Sequence, residues 1–177
     1  MADQDVIDAL ATAVVDEYAQ AGLTLATAES CTGGWIAKAI TDIPGSSACL
    51  GYGLVTYSNT AKMTLLGVRP ATLESYGAVS ESTVREMAEG VLDVSGAHCS
   101  VAVSGIAGPS GGSADKPVGT VWFAWSCKGE NVIHTDAELH QLSGNRDAVR
   151  ERAVVIALQG LRSRARDCCA KGAGSTG

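Results

Sequence analysis

Ser30 and Cys31 are adjacent nucleophilic side chains in the segment TAESCTGGW, residues 27–35, and two glycines follow them. A hydroxyl or thiol between a strand and the next helix is exposed by the turn, and the free N–H groups of that helix can stabilise an oxyanion. The spacing matches neither a P-loop nor the GxSxG turn of hydrolases. From the residues alone, two interpretations stay open: a nucleophile on a sharp turn, or a capped helix N-terminus with a buried cysteine.

A second reactive group lies in TYSNTAK, where Tyr57 ends a predicted strand and Lys62 falls in the first turns of the next helix. Desolvation lowers the pKa of a lysine, and the neutral amine can then accept a proton from a serine, with Tyr57 as a possible relay. The alternative is a solvated lysine, which is the commoner situation. None of the three histidines lies near these segments, which favours lysine as the base.

Two further features favour an anion site. The segment VSGIAGPSGGSADKPVG, residues 103–119, is rich in glycine, and successive N–H groups in such a turn form a concavity for anions. A long mobile hairpin loop is the alternative. Arg146 stands at the start of the last predicted helix, where its guanidinium and the helix dipole together can hold a phosphate. Otherwise it is a surface arginine beside Asp147.

The segment HTDAELH carries four potential metal ligands on one face of a predicted strand: His134, Asp136, Glu138 and His140. Side chains strung along a strand spread too far apart to converge on one ion. We therefore predict a polar, solvent-facing strand and no metal.

The elements that must position these residues begin as an alternation of helices and strands. Helices are predicted over 4–20, 34–43, 60–67, 81–94 and 145–164, with a further helical turn at Pro70, and strands over 23–29, 48–57, 98–108, 118–127 and 131–142. This order predicts one α/β domain, over residues 1–166, with a mixed sheet covered by helices on both faces. Residues 167–177 show no pattern and are predicted to form a flexible tail.

Composition argues against several classes of function. The net charge is -6 and no basic stripe precedes the last helix, which argues against nucleic-acid binding. The N-terminal segment carries acids where a signal peptide has positive charge, and no apolar run approaches the ~18 to 20 residues of a membrane span. The six cysteines form no CxxC pair. We expect a cytoplasmic protein with no membrane partner and with reduced, buried cysteines.

Seven segments, taken in order, resemble the CinA C-terminal domain family: TAESCTGG, PGSS, YSNTAK, GAVSE, VSGIAGPSGG, KPVGTVW and GNRDAVR. The resemblance implies a three-layer α/β/α sandwich around a mixed sheet. Its stand-alone members are nicotinamide-nucleotide amidohydrolases. The resemblance therefore implies hydrolysis of the carboxamide of nicotinamide mononucleotide to nicotinate mononucleotide and ammonia, with a nucleotide as partner and no cofactor.

The resemblance also implies roles for single residues. Ser30 corresponds to the nucleophile, and Tyr57 and Lys62 correspond to its catalytic partners. The family's TGIAGP segment corresponds to residues 104–109, where a serine replaces the threonine, and the arginine of its last motif corresponds to Arg146. The substrate-binding residues that the resemblance implies are therefore Ser104, Gly105, Ala107, Gly108 and Arg146. On physical grounds we expect the backbone N–H groups of Thr32, Gly33 and Gly34 to hold the oxyanion. A homo-oligomer is also expected.

Several alternatives stay open. Cys31 is the rival nucleophile, because a thiol is intrinsically more reactive than a hydroxyl. A catalytically silent nucleotide-binding or scaffold module would keep the same pocket without turnover. An amidase of free nicotinamide is a third possibility, although the glycine-rich loop and Arg146 favour a substrate that carries a phosphate.

Overall fold

The computed structural model describes the backbone of residues 4–172 and the side chains of residues 4–165. Helices and strands alternate at first, and a pair of antiparallel strands and a long helix follow. In chain order the elements are α1 (Gln4–Ala21), β1 (Leu25–Glu29), α2 (Trp35–Thr41), a 3₁₀ turn (Ser46–Ala48), β2 (Leu50–Val55), α3 (Asn59–Leu66), α4 (Pro70–Tyr76), α5 (Glu81–Ser95), β3 (Cys99–Gly105), β4 (Thr120–Lys128), β5 (Ile133–Gln141) and α6 (Arg146–Gly172).

The strands form one mixed sheet in the order β2-β1-β3-β4-β5. β1 is parallel to both β2 and β3, whereas β3, β4 and β5 pair in antiparallel fashion. The chain leaves β1 toward β2 and leaves β3 toward β4, so the connections after these two neighbouring strands diverge. In open α/β sheets such a divergence leaves a crevice at the carboxyl ends of the strands, which is where ligands bind.

Helices cover both faces of this sheet. On one face α1 and α6 pack against apolar side chains of β3 and β4, and the Tyr18 hydroxyl donates to the Leu161 carbonyl at 2.9 Å. On the other face α5 packs against alanines of three strands, Ala28, Ala102 and Ala124. The single α/β domain, a three-layer α/β/α sandwich around a mixed sheet, is therefore confirmed.

Helix α3 is held against α5 by a contact that only glycine permits. A Cβ added at Gly90 of α5 would lie 1.9 Å from the carbonyl oxygen of Leu66, at the end of α3. The two helices therefore approach each other at their backbones. This contact matters for the site described below because α3 carries Lys62.

The last helix is longer than predicted. α6 continues to Gly172, past the predicted end at Arg164, so the first part of the predicted tail is helical. Residues 173–177 and the side chains of Cys168 and Cys169 lie outside the described residues. The polar strand predicted over 131–142 is β5, at one edge of the sheet, with most of its side chains exposed.

The described cysteines are buried: Cys31 and Cys49 are free thiols, and Cys99 faces Cys127 across β3 and β4. Within the described part of the chain, no helix is long and apolar enough to span a bilayer.

Candidate active site

Three neighbouring strands deliver the predicted site residues to one edge of the sheet. Ser30 follows β1, Tyr57 follows β2, and Ser104 and Gly105 end β3. The Ser30 N–H donates to the carbonyl of Val103 at 3.0 Å, which extends the β1–β3 ladder by one residue. This register places Ser104 beside Ser30, since side chains at equivalent positions of paired strands share a face.

Lys62 points inward from α3 and ends at Ser30. Its Nζ lies 3.1 Å from the Ser30 Oγ, and it donates to the carbonyls of Thr56 at 2.8 Å and Tyr57 at 3.3 Å. The lysine is only 1 % exposed and Ser30 only 8 %. None of the ion pairs among the described residues includes Lys62. The structure thus places a buried amine, without a carboxylate partner, against the serine.

Burial lowers the pKa of the Lys62 amine below its ordinary value of 10.5, because the charged form loses its hydration.

Local capping interactions fix the two ends of α3, the helix that carries Lys62. The Ser58 side chain caps α3 by accepting from the Ala61 N–H at 3.0 Å, and Gly67 ends the helix at φ 68°. The helix is short, and its boundaries set the reach of the lysine.

The Glu29 carboxylate holds the turn after Ser30 by accepting hydrogen bonds from backbone N–H groups. This carboxylate is fully buried immediately before Ser30 and accepts hydrogen bonds from the N–H groups of Gly34, Ile36 and Ala37 at 2.8 to 3.0 Å. It therefore caps the N-terminus of α2 and neutralises the positive end of the helix dipole. Sequence reasoning missed this role, although an acid just before a helix start is a recognisable signal.

Two of the three N–H groups expected to hold the oxyanion already have hydrogen-bond partners in the protein. The Gly34 N–H is taken by Glu29, and the Gly33 N–H closes a tight turn by donating to the Ser30 carbonyl at 3.0 Å. Within the described part of the chain, the Thr32 N–H donates no hydrogen bond, and the Cys31 N–H contacts only its own thiol. Of the expected set only Thr32 remains, and Cys31 joins it as a second donor with no partner in another residue.

The thiol of Cys31 is a poor candidate for the nucleophile. Cys31 is 5 % exposed, and burial raises its pKa to about 12. At neutral pH almost none of it is thiolate, which is the nucleophilic form. Of the two adjacent side chains, Ser30 is therefore the stronger candidate for the nucleophile.

An open cleft of about 310 Å³ lies beside the turn. It is lined by Cys31, Tyr57, Gly105, Ile106, Ala107, Gly108, Ser110, Gly111 and Arg146. Arg146 donates to the Gly108 carbonyl at 2.8 Å and to the Tyr57 hydroxyl at 3.2 Å, which ties the ends of β2, β3 and α6 together. A guanidinium has five N–H donors, so donors remain for a ligand.

Two predicted features differ in detail from their expectation. The Ser104 hydroxyl donates to the Ala78 carbonyl at 2.8 Å, and Ser104 is not among the residues that line the cleft. The glycine-rich segment is anchored, since the Ile106 N–H donates to the Thr120 carbonyl at 2.9 Å and the Gly119 N–H donates to the Ile106 carbonyl at 2.7 Å. Lys116 anchors it further by donating to the Tyr76 carbonyl at 2.7 Å. The segment is thus the loop of the hairpin that β3 and β4 form, and it is tied down at these points.

Together the fold and the site define an α/β protein with a buried serine–lysine pair at the carboxyl edge of its sheet. The model of the CinA C-terminal domain matches residues 7–165. The chain therefore belongs to the CinA C-terminal domain family.

Relatives and solved structures agree with this assignment. The nicotinamide-nucleotide amidohydrolase PncC of Enterobacter agglomerans is 60% identical over 138 residues, which covers 78% of this chain and 82% of that protein. PncC of Pseudomonas putida is 49% identical over 157 residues, covering 89% of this chain and 96% of that protein. The crystal structure of competence/damage inducible protein CihA from Agrobacterium tumefaciens superposes with a TM-score of 0.84 at 44% identity, covering 89% and 94% of the two chains.

Proposed function

We propose that this chain is an amidohydrolase that converts nicotinamide mononucleotide to nicotinate mononucleotide and ammonia. The observation that carries the proposal is the buried Lys62 amine 3.1 Å from the Ser30 hydroxyl. Cys31, the residue after Ser30, lines the open cleft. The relatives named as nicotinamide-nucleotide amidohydrolases, 60% and 49% identical, support the reaction and the substrate.

Acylation begins with Lys62 in its neutral form. A neutral amine has two N–H donors and one lone pair, and the carbonyls of Thr56 and Tyr57 take the two donors. The lone pair then faces the Ser30 hydroxyl. Lys62 accepts the Ser30 proton while the Ser30 Oγ forms a bond to the carboxamide carbon. The N–H groups of Cys31 and Thr32 hold the oxyanion, and one such donor is typically worth about 3 kcal/mol.

Collapse of the tetrahedral intermediate breaks the carbon–nitrogen bond. The departing nitrogen receives a proton from the Lys62 ammonium, relayed by the Tyr57 hydroxyl, and leaves as ammonia. Arg146 donates to the Tyr57 oxygen, so the phenolic proton stays available for this relay. Lys62, neutral again, takes a proton from water while the water oxygen attacks the ester carbon. Collapse of this second intermediate breaks the bond to Ser30 Oγ, and the Lys62 ammonium returns the proton to that oxygen, which releases the acid product.

The phosphate of the substrate is assigned to Arg146 and to the backbone of Gly105, at the end of β3, and of Ala107 and Gly108 in the loop that follows. These residues line the cleft, and an arginine can bind phosphate through two parallel N–H bonds. Ser104 supports the reacting end: its proton is committed to Ala78, but its oxygen can still accept from the carboxamide nitrogen. Self-association of the chain stays a prediction.

Ammonia release from nicotinamide mononucleotide by purified, reduced protein tests this proposal. Ser30→Ala is expected to lose activity by a factor of about 10⁴ or more, because the nucleophile is gone. Cys31→Ala keeps its backbone N–H and is expected to retain most of the activity. The reverse result would transfer the reaction to the thiol. No release by the wild type above a heat-killed control would instead support a silent nucleotide-binding module.

A further inference from the structure

Arg150 forms two hydrogen bonds to the backbone of the turn that follows Ser30. It lies on α6, one helical turn after Arg146, and its side chain is half-buried. Its Nε donates to the Cys31 carbonyl at 3.1 Å and its Nη2 donates to the Thr32 carbonyl at 3.0 Å. The guanidinium also lies over the Trp35 ring, 5.5 Å from its centre. Arg150 is not among the residues that line the cleft beside Ser30.

These two hydrogen bonds determine the direction in which the Thr32 N–H points. A trans peptide is planar, with its C=O and N–H pointing in opposite directions. Because Arg150 holds the Cys31 carbonyl, the N–H of Thr32 in the same peptide points away from the guanidinium. That N–H donates no hydrogen bond within the described part of the chain. The next peptide is held in the same way, and its N–H, from Gly33, closes the turn on the Ser30 carbonyl at 3.0 Å.

We propose that Arg150 is a positioning residue for catalysis, which orients the Thr32 N–H toward the oxyanion that forms when Ser30 attacks. This inference rests on the proposed amidohydrolase function. The charge of the guanidinium also polarises the peptide that it holds, which strengthens the N–H on the opposite side. Arg150 acts from outside the cleft, through the backbone, and touches neither the substrate nor Lys62.

The role requires the shape of arginine as well as its charge. Two donors of one planar group bind two successive carbonyls, whereas a lysine presents a single compact ammonium. Arg150→Lys therefore keeps the positive charge and loses the paired contact. An interaction made only in the transition state changes kcat and leaves KM alone. A residue that only stabilises the fold would change the melting temperature instead.

The experiment compares Arg150→Lys and Arg150→Ala with Arg152→Lys, a control on the same helix whose side chain contacts Ser143. We expect kcat for nicotinamide mononucleotide to fall roughly 10- to 100-fold in both Arg150 variants, with KM within about twofold of the wild type, because a misdirected oxyanion donor costs less than a deleted one. The control is expected to keep both constants. Millimolar guanidinium chloride is expected to restore part of the kcat of Arg150→Ala, whereas equal sodium chloride is not.

Unchanged kcat in both variants would overturn the inference. So would a loss of kcat that is matched by a lower melting temperature and is not rescued by guanidinium, because that result describes a purely structural residue. Turnover by the wild type and its loss in Ser30→Ala support the proposed function, whatever the kinetics of the Arg150 variants. A wild type without turnover overturns the proposed function and this inference together.

Discussion

At the scale of single residues, the site depends on a lysine that the protein has separated from water. Lys62 keeps three polar contacts, of which two are carbonyls and one is the Ser30 hydroxyl. The proposed mechanism needs no histidine, because a lysine with a lowered pKa can serve as a general base. Cys31 has the opposite fate: the same burial raises the pKa of its thiol to about 12 and keeps it protonated.

Arg146 is expected to bind the phosphate of the substrate, and its removal tests this role. If this side chain binds the substrate phosphate, Arg146→Ala raises KM for nicotinamide mononucleotide roughly 10- to 100-fold, the worth of a charge-assisted hydrogen bond. Activity on free nicotinamide, which has no phosphate, is expected to fall only by the part that Arg146 contributes through the Tyr57 hydroxyl, so the loss is larger on the nucleotide. Steady-state ammonia release on both substrates measures this. Arg162→Ala, which removes an arginine of α6 that pairs with Glu17 of α1, is the matched control. Equal weakening on both substrates would contradict the assignment.

At the scale of elements, Lys62 is placed by the packing of α3 against α5. The backbone of α5 at Gly90 touches the Leu66 carbonyl so closely that no side chain fits between them. Because α3 is short and rigidly capped, a shift of this contact moves the Lys62 amine along with the helix. Activity and packing are therefore coupled at a position that lies outside the cleft.

Gly90→Ala tests this coupling. The added methyl would meet backbone atoms, so we expect a loss of about 1 to 3 kcal/mol in the free energy of unfolding, typical of overpacking. We also expect kcat to fall at least roughly 10-fold, because a small misplacement of a catalytic group is costly. Gly51→Ala is the control, since an added Cβ there meets nothing within 4 Å. Normal kcat in Gly90→Ala would show that α3 is not held by this contact. Denaturant unfolding and steady-state kinetics supply the two readouts.

At the scale of the whole molecule, the low pKa of Lys62 is a property of the fold and disappears when the chain unfolds. Because the unfolded chain binds the Lys62 proton more tightly, this residue makes folding stability rise with pH between the folded pKa and 10.5. The same contribution is lost as the pH falls through that window. Below the folded pKa both states carry the proton, and the cost of burying the charged amine is then complete.

The sequence was sufficient for the architecture and for the residues at the strand ends. Strand ends and helix starts have local signals, and three neighbouring parallel strands bring Ser30, Tyr57 and Ser104 to one edge. Contacts between distant segments have no such signal. Arg150 lies 118 and 119 residues from the carbonyls it holds. The partners of the Gly33 and Gly34 N–H groups were not predicted either: the first donates to the Ser30 carbonyl and the second to the buried Glu29 carboxylate.

The protonation of Lys62 is the most direct test of the central claim. NMR of protein with isotope-labelled lysine side chains, assigned through Lys62→Arg, follows this one amine through a pH titration. We expect its pKa in the folded protein to lie below 10.5, to coincide with the acid limb of kcat/KM, and to return to the ordinary value in urea. A Lys62 that stays fully charged in the folded protein, across the whole pH range of turnover, would contradict a lysine base for Ser30.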